Sequence, residues 1–424
     1  MTKPFLAIAA VAGMVFASAS AEADTTDVQW QSVIEVEKEG EHCADDPNCF
    51  NRYHPAIEPV ARANPGEHIV FHTRDAFDSE LDLESNADDL AALDLNLVHP
   101  MTGPVHIEGA RRGDVLAVKL VDIEPDQYGY TLIVPGFGFL RDKFTEPFLV
   151  NWKLTRTGAV SDQMPGIMVP YEAFPGSIGV LPGEPELTAW LERERALGEA
   201  GGVVLAPQPT GARPADVCGP EGSNAAECLR TIPPRENGGN IDVQQMQLGT
   251  TILFPCFIDG CGLFIGDVHF AQGDGEVSGT AIEMGAKVTV TVEIREGEGE
   301  HITSPQVEGG SQIKDMEPTA FHQTIGLPLK AKGEVPPFLT YIDSEKIADL
   351  ENLSEDLSLA ARDALLQMID HIVREYGLTP EQAYVLASVA VDLRVGQVVD
   401  VPNYVMTAIL NKDVFVEEEA DEAE

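Results

Sequence analysis

From residue 60 to about 160 the apolar positions fall in short runs broken by Gly, Pro and Asp, a spacing that predicts strands rather than helices. Residues 67–72 follow the Pro65-Gly66 turn, and residues 114–123 follow Arg111-Arg-Gly113. The pattern returns beyond residue 236 in residues 250–254, 263–270 and 287–294, the last alternating Val with Thr or a charge at period two. Between these stretches, residues 183–235 hold a helix-like piece at 186–197 and then a Gly, Pro and Ala-rich run, which reads as an insertion or long loop. Helical periodicity reappears at 343–376 and from Pro380, where Thr379 as N-cap, Pro380 at the first helical position and Gln382 three residues after the cap make a helix start. The expected fold is α+β and predominantly β: two β-rich halves, 24–182 and 236–415, separated by the 183–235 insertion and ending in C-terminal helices.

Both ends of the chain depart from this pattern. Lys3, an apolar run over 4–17 and the small residues Ala19-Ser-Ala21 describe a cleavable secretory signal over 1–23, leaving a mature chain that starts near Glu22 or Asp24. The run is too short to span a bilayer comfortably, and no later segment approaches transmembrane length, so no membrane insertion is expected after cleavage. A periplasmic or secreted location follows. Residues 416–424 are an acidic run too polar to pack, expected to be disordered.

Six cysteines fall in three local groups, Cys43 with Cys49, Cys218 with Cys228 and Cys256 with Cys261. In an exported chain local disulfides are the natural expectation, foremost Cys218 with Cys228, although spacing alone leaves the pairing open. A zinc knuckle would require C-x-x-C pairs, which the sequence lacks. A hydrophobic content of 44% is that of a globular protein, and 70 acidic against 27 basic residues give a net charge of -43. Such a charge repels phosphate backbones and anionic lipid, which excludes nucleic acid as a partner class.

The densest chemistry is Gly266-Asp267-Val268-His269-Phe270-Ala271-Gln272-Gly273-Asp274-Gly275-Glu276. On a strand Asp267 and His269 project from one face, so a carboxylate oxygen and an imidazole nitrogen can converge on one divalent ion. Taken alone, the same pair is also what a solvent-facing acid and a satisfied histidine look like. Upstream, Glu236-Asn237-Gly238-Gly239-Asn240-Ile241-Asp242 combines glycines that let backbone approach a ligand with short oxygen donors, or it is an ordinary tight turn. Asp75 beside Arg74 is a candidate base or ligand, or half of a surface ion pair, and His99 sits before Pro100 in a rigid turn. Hydrolysis of an amide needs an activated water, a polarised carbonyl and an acid for the departing amine, which one metal and one or two carboxylates supply. The chain has no G-x-S-x-G elbow and no Walker-type phosphate loop.

These segments, in this order, resemble the acetamidase/formamidase family. The stretches that carry the resemblance are Asn51-Arg-Tyr-His-Pro55, Thr73-Arg-Asp-Ala-Phe77, Val98-His-Pro-Met-Thr-Gly-Pro104, Gly136-Phe-Gly-Phe-Leu140, Pro175-Gly-Ser-Ile-Gly179, Glu236 to Asp242, Gly266 to Glu276 and Ala281-Ile-Glu283. The resemblance is strongest to the formamidase and γ-lactamase-like branch. It implies a homo-oligomeric hydrolase of small linear amides such as formamide or acetamide, and a divalent metal ion, zinc before calcium. Carried onto this chain, the resemblance makes Asp267, His269 and Asp242 the metal ligands, Asp75, Glu276 and His99 the catalytic groups, and Asn237, Gly239 and Asn240 the substrate-binding residues. Two alternatives stand beside it: an exported binding protein on the same fold without turnover, and an amidase for a larger amide or lactam admitted by a pocket that the 218–228 loop borders.

Overall fold

A computed structural model describes residues 33–334, 349–351, 356–400 and 403–416. The expected secretory signal, and all but the first residue of the expected acidic tail, lie outside the described residues. The spine of the fold is the 19-residue strand Val115–Ile133. It pairs antiparallel with Glu283–Arg295 along most of its length, with Thr251–Pro255 beside its first part and Phe148–Thr155 beside its last. From Glu283–Arg295 the sheet continues through Leu263–His269 and Phe174–Val180 to Gly238–Asn240. The two β-rich stretches of sequence therefore interleave in one sheet, because the strands His68–Thr73, Met101–Ile107, Val115–Ile133 and Phe174–Val180 of the first pair with strands of the second.

Alternation works as the sequence predicts. In Glu283–Arg295 the side chains of Val288, Val290 and Val292 are buried, while Lys287 and Glu293 face solvent. Val115–Ile133 runs beyond the expected end near residue 123 because Pro125 pairs with Ala286 beside a register shift, so a residue that reads as a breaker sits at an irregularity of a continuing strand.

The insertion forms the helix Glu184–Glu199, which buries Leu187 and Trp190, and then a loop closed by the Cys218–Cys228 disulfide. Directly after that disulfide, Leu229–Arg230 pairs with Arg52–Tyr53. Leu187, Trp190, Cys218, Cys228 and Leu229 pack with Phe50, Tyr53, Met101 and Phe264, so the insertion covers one side of the sheet. Cys43–Cys49 and Cys256–Cys261 are also bonded, which makes three local disulfides. Three such bonds point to an oxidising compartment. Among the described residues no helix is long and apolar enough to cross a membrane.

Near the C-terminus a three-stranded sheet, Phe321–Gly326, Val405–Asn411 and Val391–Gln397, packs on the helix Leu357–Tyr376. The next helix, Pro380–Ala390, opens with the predicted capping box between Thr379 and Gln382. This helix and the strand after it hold the loop that follows His269. Gly273 N donates to Ser388 O, Asp274 N to Asp392 Oδ1 and Ser278 N to Ser388 Oγ.

Candidate metal and active site

Strand register builds the site. Across four strands, Phe174 is paired with His269, His269 with Glu283, and Glu283 with Tyr130. Cross-strand partners share a face, so this row brings an imidazole and a carboxylate together over an apolar floor. The Phe174 ring meets His269 edge-on at 5.2 Å. Nε2 of His269 lies 3.3 Å from Glu283 Oε2, 3.7 Å from Asp267 Oδ2 and 4.0 Å from Asp242 Oδ1. Ligand atoms of Asp242, Asp267 and His269 all fall within 4.8 Å of one another, and so do those of His269, Glu276 and Glu283. Asp267, His269 and Glu283 form the buried floor, while Asp242, Glu276 and Asn240 are partly exposed.

Local backbone is bent to achieve this. Asp242, Asp267 and Glu276 all hold left-handed φ values of 51°, 50° and 43°, a region that non-glycine residues rarely occupy. Strain of this kind persists only where surrounding structure enforces it, and it concentrates at functional sites. Here each strained residue aims a carboxylate at the same imidazole.

Polar neighbours fix the remaining atoms. Ser177 Oγ donates toward Asn240 Oδ1 at 2.8 Å and Asp267 Oδ2 at 3.2 Å, and Asn240 Nδ2 donates to Asp242 Oδ2 at 2.9 Å. Glu283 Oε1 accepts from the Ala281 amide. Three atoms, Asp242 Oδ1, His269 Nε2 and Glu283 Oε2, remain buried with no hydrogen-bond partner among the described residues.

Electrostatics sharpen the point. Burial raises Asp242 and Glu276 well above ordinary carboxyl values, and burial, opposed by His269, pushes Glu283 up to about 7. Burial acts against ionised Asp267 too, but His99 and His269 overcome it and hold that carboxyl low. For His269, burial disfavours the charge, yet Glu283 and Asp267 outweigh it and raise its pKa well above the usual imidazole value. Among the described residues, the ion-pair partners of Asp242, Asp267 and Glu283 are the imidazoles of His269 and His99. So many carboxylates at this spacing cannot all ionise beside two imidazoles, and a divalent cation, if held here, would relieve the conflict. The donor set of carboxylate oxygens and one imidazole nitrogen suits zinc, whereas calcium prefers an all-oxygen shell. The residues present fit the ion that the sequence resemblance implied.

The other residues named from sequence fall as follows. His99 borders the cluster, with Nε2 3.9 Å from Asp267 Oδ2, and burial lowers its pKa toward the neutral ring. Its amide donates to Thr231 Oγ1, just past the disulfide-closed loop. Asn237 Nδ2 donates to Val180 O and ties strand to strand, and Gly239 lies where a Cβ would press on the Tyr53 hydroxyl at 2.8 Å. Asp75 closes a turn instead of joining the cluster: Oδ1 accepts from Phe77 N and the Tyr130 hydroxyl, and Oδ2 from Ser79 N. Glu283, Ser177 and Gln272 were not singled out from sequence, although all three lie in or beside the segments that carried the resemblance.

Comparisons with known proteins place the chain in a family. A profile of the Acetamidase/Formamidase family matches residues 35–417. An acetamidase from Mycolicibacterium smegmatis is 32% identical over 366 residues, covering 79% of this chain and 84% of its own length. A formamidase from Methylophilus methylotrophus is 27% identical over 410 residues, covering 91% and 94%. Among solved structures, a gamma lactamase from Delftia acidovorans superposes with a TM-score of 0.81 at 30% identity, covering 91% of this chain and 94% of that one. With the profile spanning nearly all of the described fold and the acid cluster, the chain belongs to the acetamidase/formamidase family.

Proposed function

We propose that the protein is an exported, metal-dependent amidohydrolase that cleaves the C–N bond of small linear amides to a carboxylic acid and ammonia. The observation that carries this reading is the convergence of Asp242, Asp267 and Glu283 on Nε2 of His269, with Glu276 beside them and three buried atoms without a hydrogen-bond partner among the described residues. Asp242, Asp267 and His269 would hold the ion, which supplies a Lewis acid to polarise the amide carbonyl and makes water more acidic. Glu283, with a carboxyl near neutrality, takes the proton of the attacking water at Oε2 and returns it to the departing nitrogen. Water adds at the carbonyl carbon, the C–N bond breaks, and ammonia leaves with that proton. Glu276 and Asn240 lie on the partly exposed side of the cluster, where Asn240 is fixed by Ser177 and Asp242. Export is supported by the N-terminal residues and by three disulfides, and a homo-oligomer follows from the family resemblance.

A second reading, ring opening of a γ-lactam, is favoured by the likeness to the Delftia acidovorans gamma lactamase. Formamide, acetamide, larger linear amides and a γ-lactam, each assayed with and without a chelator, test both. Ammonia release from the linear amides that the chelator abolishes supports the first, and loss of the lactam alone supports the second. No turnover of any of them sinks both.

A further inference from the structure

The side chain of Gln272 settles which nitrogen of His269 faces the acid cluster. Gln272 is buried, and its Nε2 lies 2.9 Å from the backbone carbonyl oxygen of Asp242, while its Oε1 lies 2.8 Å from His269 Nδ1. A backbone carbonyl can only accept, so the amide nitrogen must be the atom that faces it. The amide oxygen therefore faces the imidazole, and an amide oxygen cannot donate. His269 Nδ1 must carry a proton for that contact to be a hydrogen bond, which leaves Nε2 toward Glu283, Asp267 and Asp242.

We infer that Gln272 is a positioning residue that locks His269 in the Nδ1–H form and couples its ring to the backbone of Asp242. The inference rests on the proposed role of His269 in holding the ion, since a metal-binding nitrogen must be unprotonated while its ring partner donates elsewhere. Gln272 is itself held from behind. The next residue, Gly273, packs so tightly on Val391 that an added Cβ would lie 2.3 Å from its carbonyl oxygen, and the Gly273 amide donates to Ser388 O. The C-terminal helix and strand thus brace the loop that sets the histidine.

Nitrogen-15 spectra of histidine-labelled protein, with the His269 signal assigned by its loss in His269→Gln, read the proton on Nδ1 directly, with or without added zinc. Wild type should carry that proton in both states, and Gln272→Met should lose it from the ordered bond. Zinc dissociation constants measured by chelator competition should rise roughly 10–100-fold in Gln272→Met. A bare Nδ1 in the wild type, or an unchanged proton and unchanged zinc affinity in Gln272→Met, overturns the inference. Should Gln272→Met not fold, Gln272→Glu still offers an acceptor, and it should keep the Nδ1 proton; a bare Nδ1 there is equally fatal. In the zinc-free protein the spectrum is read above the His269 titration, where the ring holds one proton; its place on Nδ1 in wild type but not in Gln272→Met separates this inference from the proposed metal role.

Discussion

Gly176 lies so close to the imidazole of His269 that a Cβ on it would stand 2.5 Å from Cε1 and 2.6 Å from Nε2. The same atom would meet the backbone oxygen of Asp267 at 2.8 Å, so neither neighbour can simply swing away. Gly176→Ala is therefore expected to displace the ring and cost roughly 10–100-fold in amide turnover, as loss of a supporting contact does at a metal site. Steady-state kinetics beside circular dichroism check this. Full turnover in a folded Gly176→Ala protein would remove His269 from the reaction.

Glu283 is the group assigned to proton transfer, and Glu283→Gln keeps its size while removing the titratable oxygen. Turnover should fall about 10²–10⁴-fold with a much smaller change in KM, because the lost interaction acts in the transition state. A raised KM at constant kcat would reassign Glu283 to substrate binding.

Arg74, next to the turn residue Asp75, carries a different load. Its buried guanidinium meets Asp46 at 3.0 Å and Asp78 at 3.6 Å and donates to the carbonyls of Glu39 and Glu41. Removing it leaves two buried carboxylates without their guanidinium partner, held among the described residues only by backbone amides and, for Asp78, His42, so Arg74→Met should lower stability by about 3–5 kcal/mol. Urea denaturation measures this, and a change within about 0.5 kcal/mol, typical of a surface substitution, would contradict the buried network.

Glu172, outside the cluster, is raised to about 7 by burial, with Asp392 adding to the effect. Its folded pKa exceeds the unfolded value of about 4.3, so the folded state binds the proton more tightly. The stability it contributes is whole below about pH 4.3 and is lost as pH rises through about 7. Relative to wild type, Glu172→Gln should gain stability between pH 5 and pH 8. Parallel stability curves for the two proteins would place the Glu172 titration elsewhere.

Local chemistry made some of this legible in the chain and long-range register hid the rest. Thr379, Pro380 and Gln382 define a helix start within four residues, and the capping box forms as read. Asp267 and His269 were recognisable because one strand places both. Glu283 was not, since an acid at the first residue of a strand looks solvated, and only pairing with His269 and Tyr130 puts it on the floor of the site. Asp75 was attractive as an acid beside an arginine, and the structure has it accept from the turn amides of Phe77 and Ser79 and from Tyr130, outside the acid cluster around His269. Nothing local marks Gly176, whose need for a missing side chain arises wholly from the neighbouring strand.

Metal content tests the central claim most directly. Elemental analysis of the purified wild-type protein should find about one zinc-class divalent ion per chain, held by a donor set of the kind that zinc prefers. His269→Ala, with its fold verified by circular dichroism, should lose both the ion and ammonia release from small amides. A full complement of metal and undiminished amide hydrolysis in His269→Ala would contradict the account.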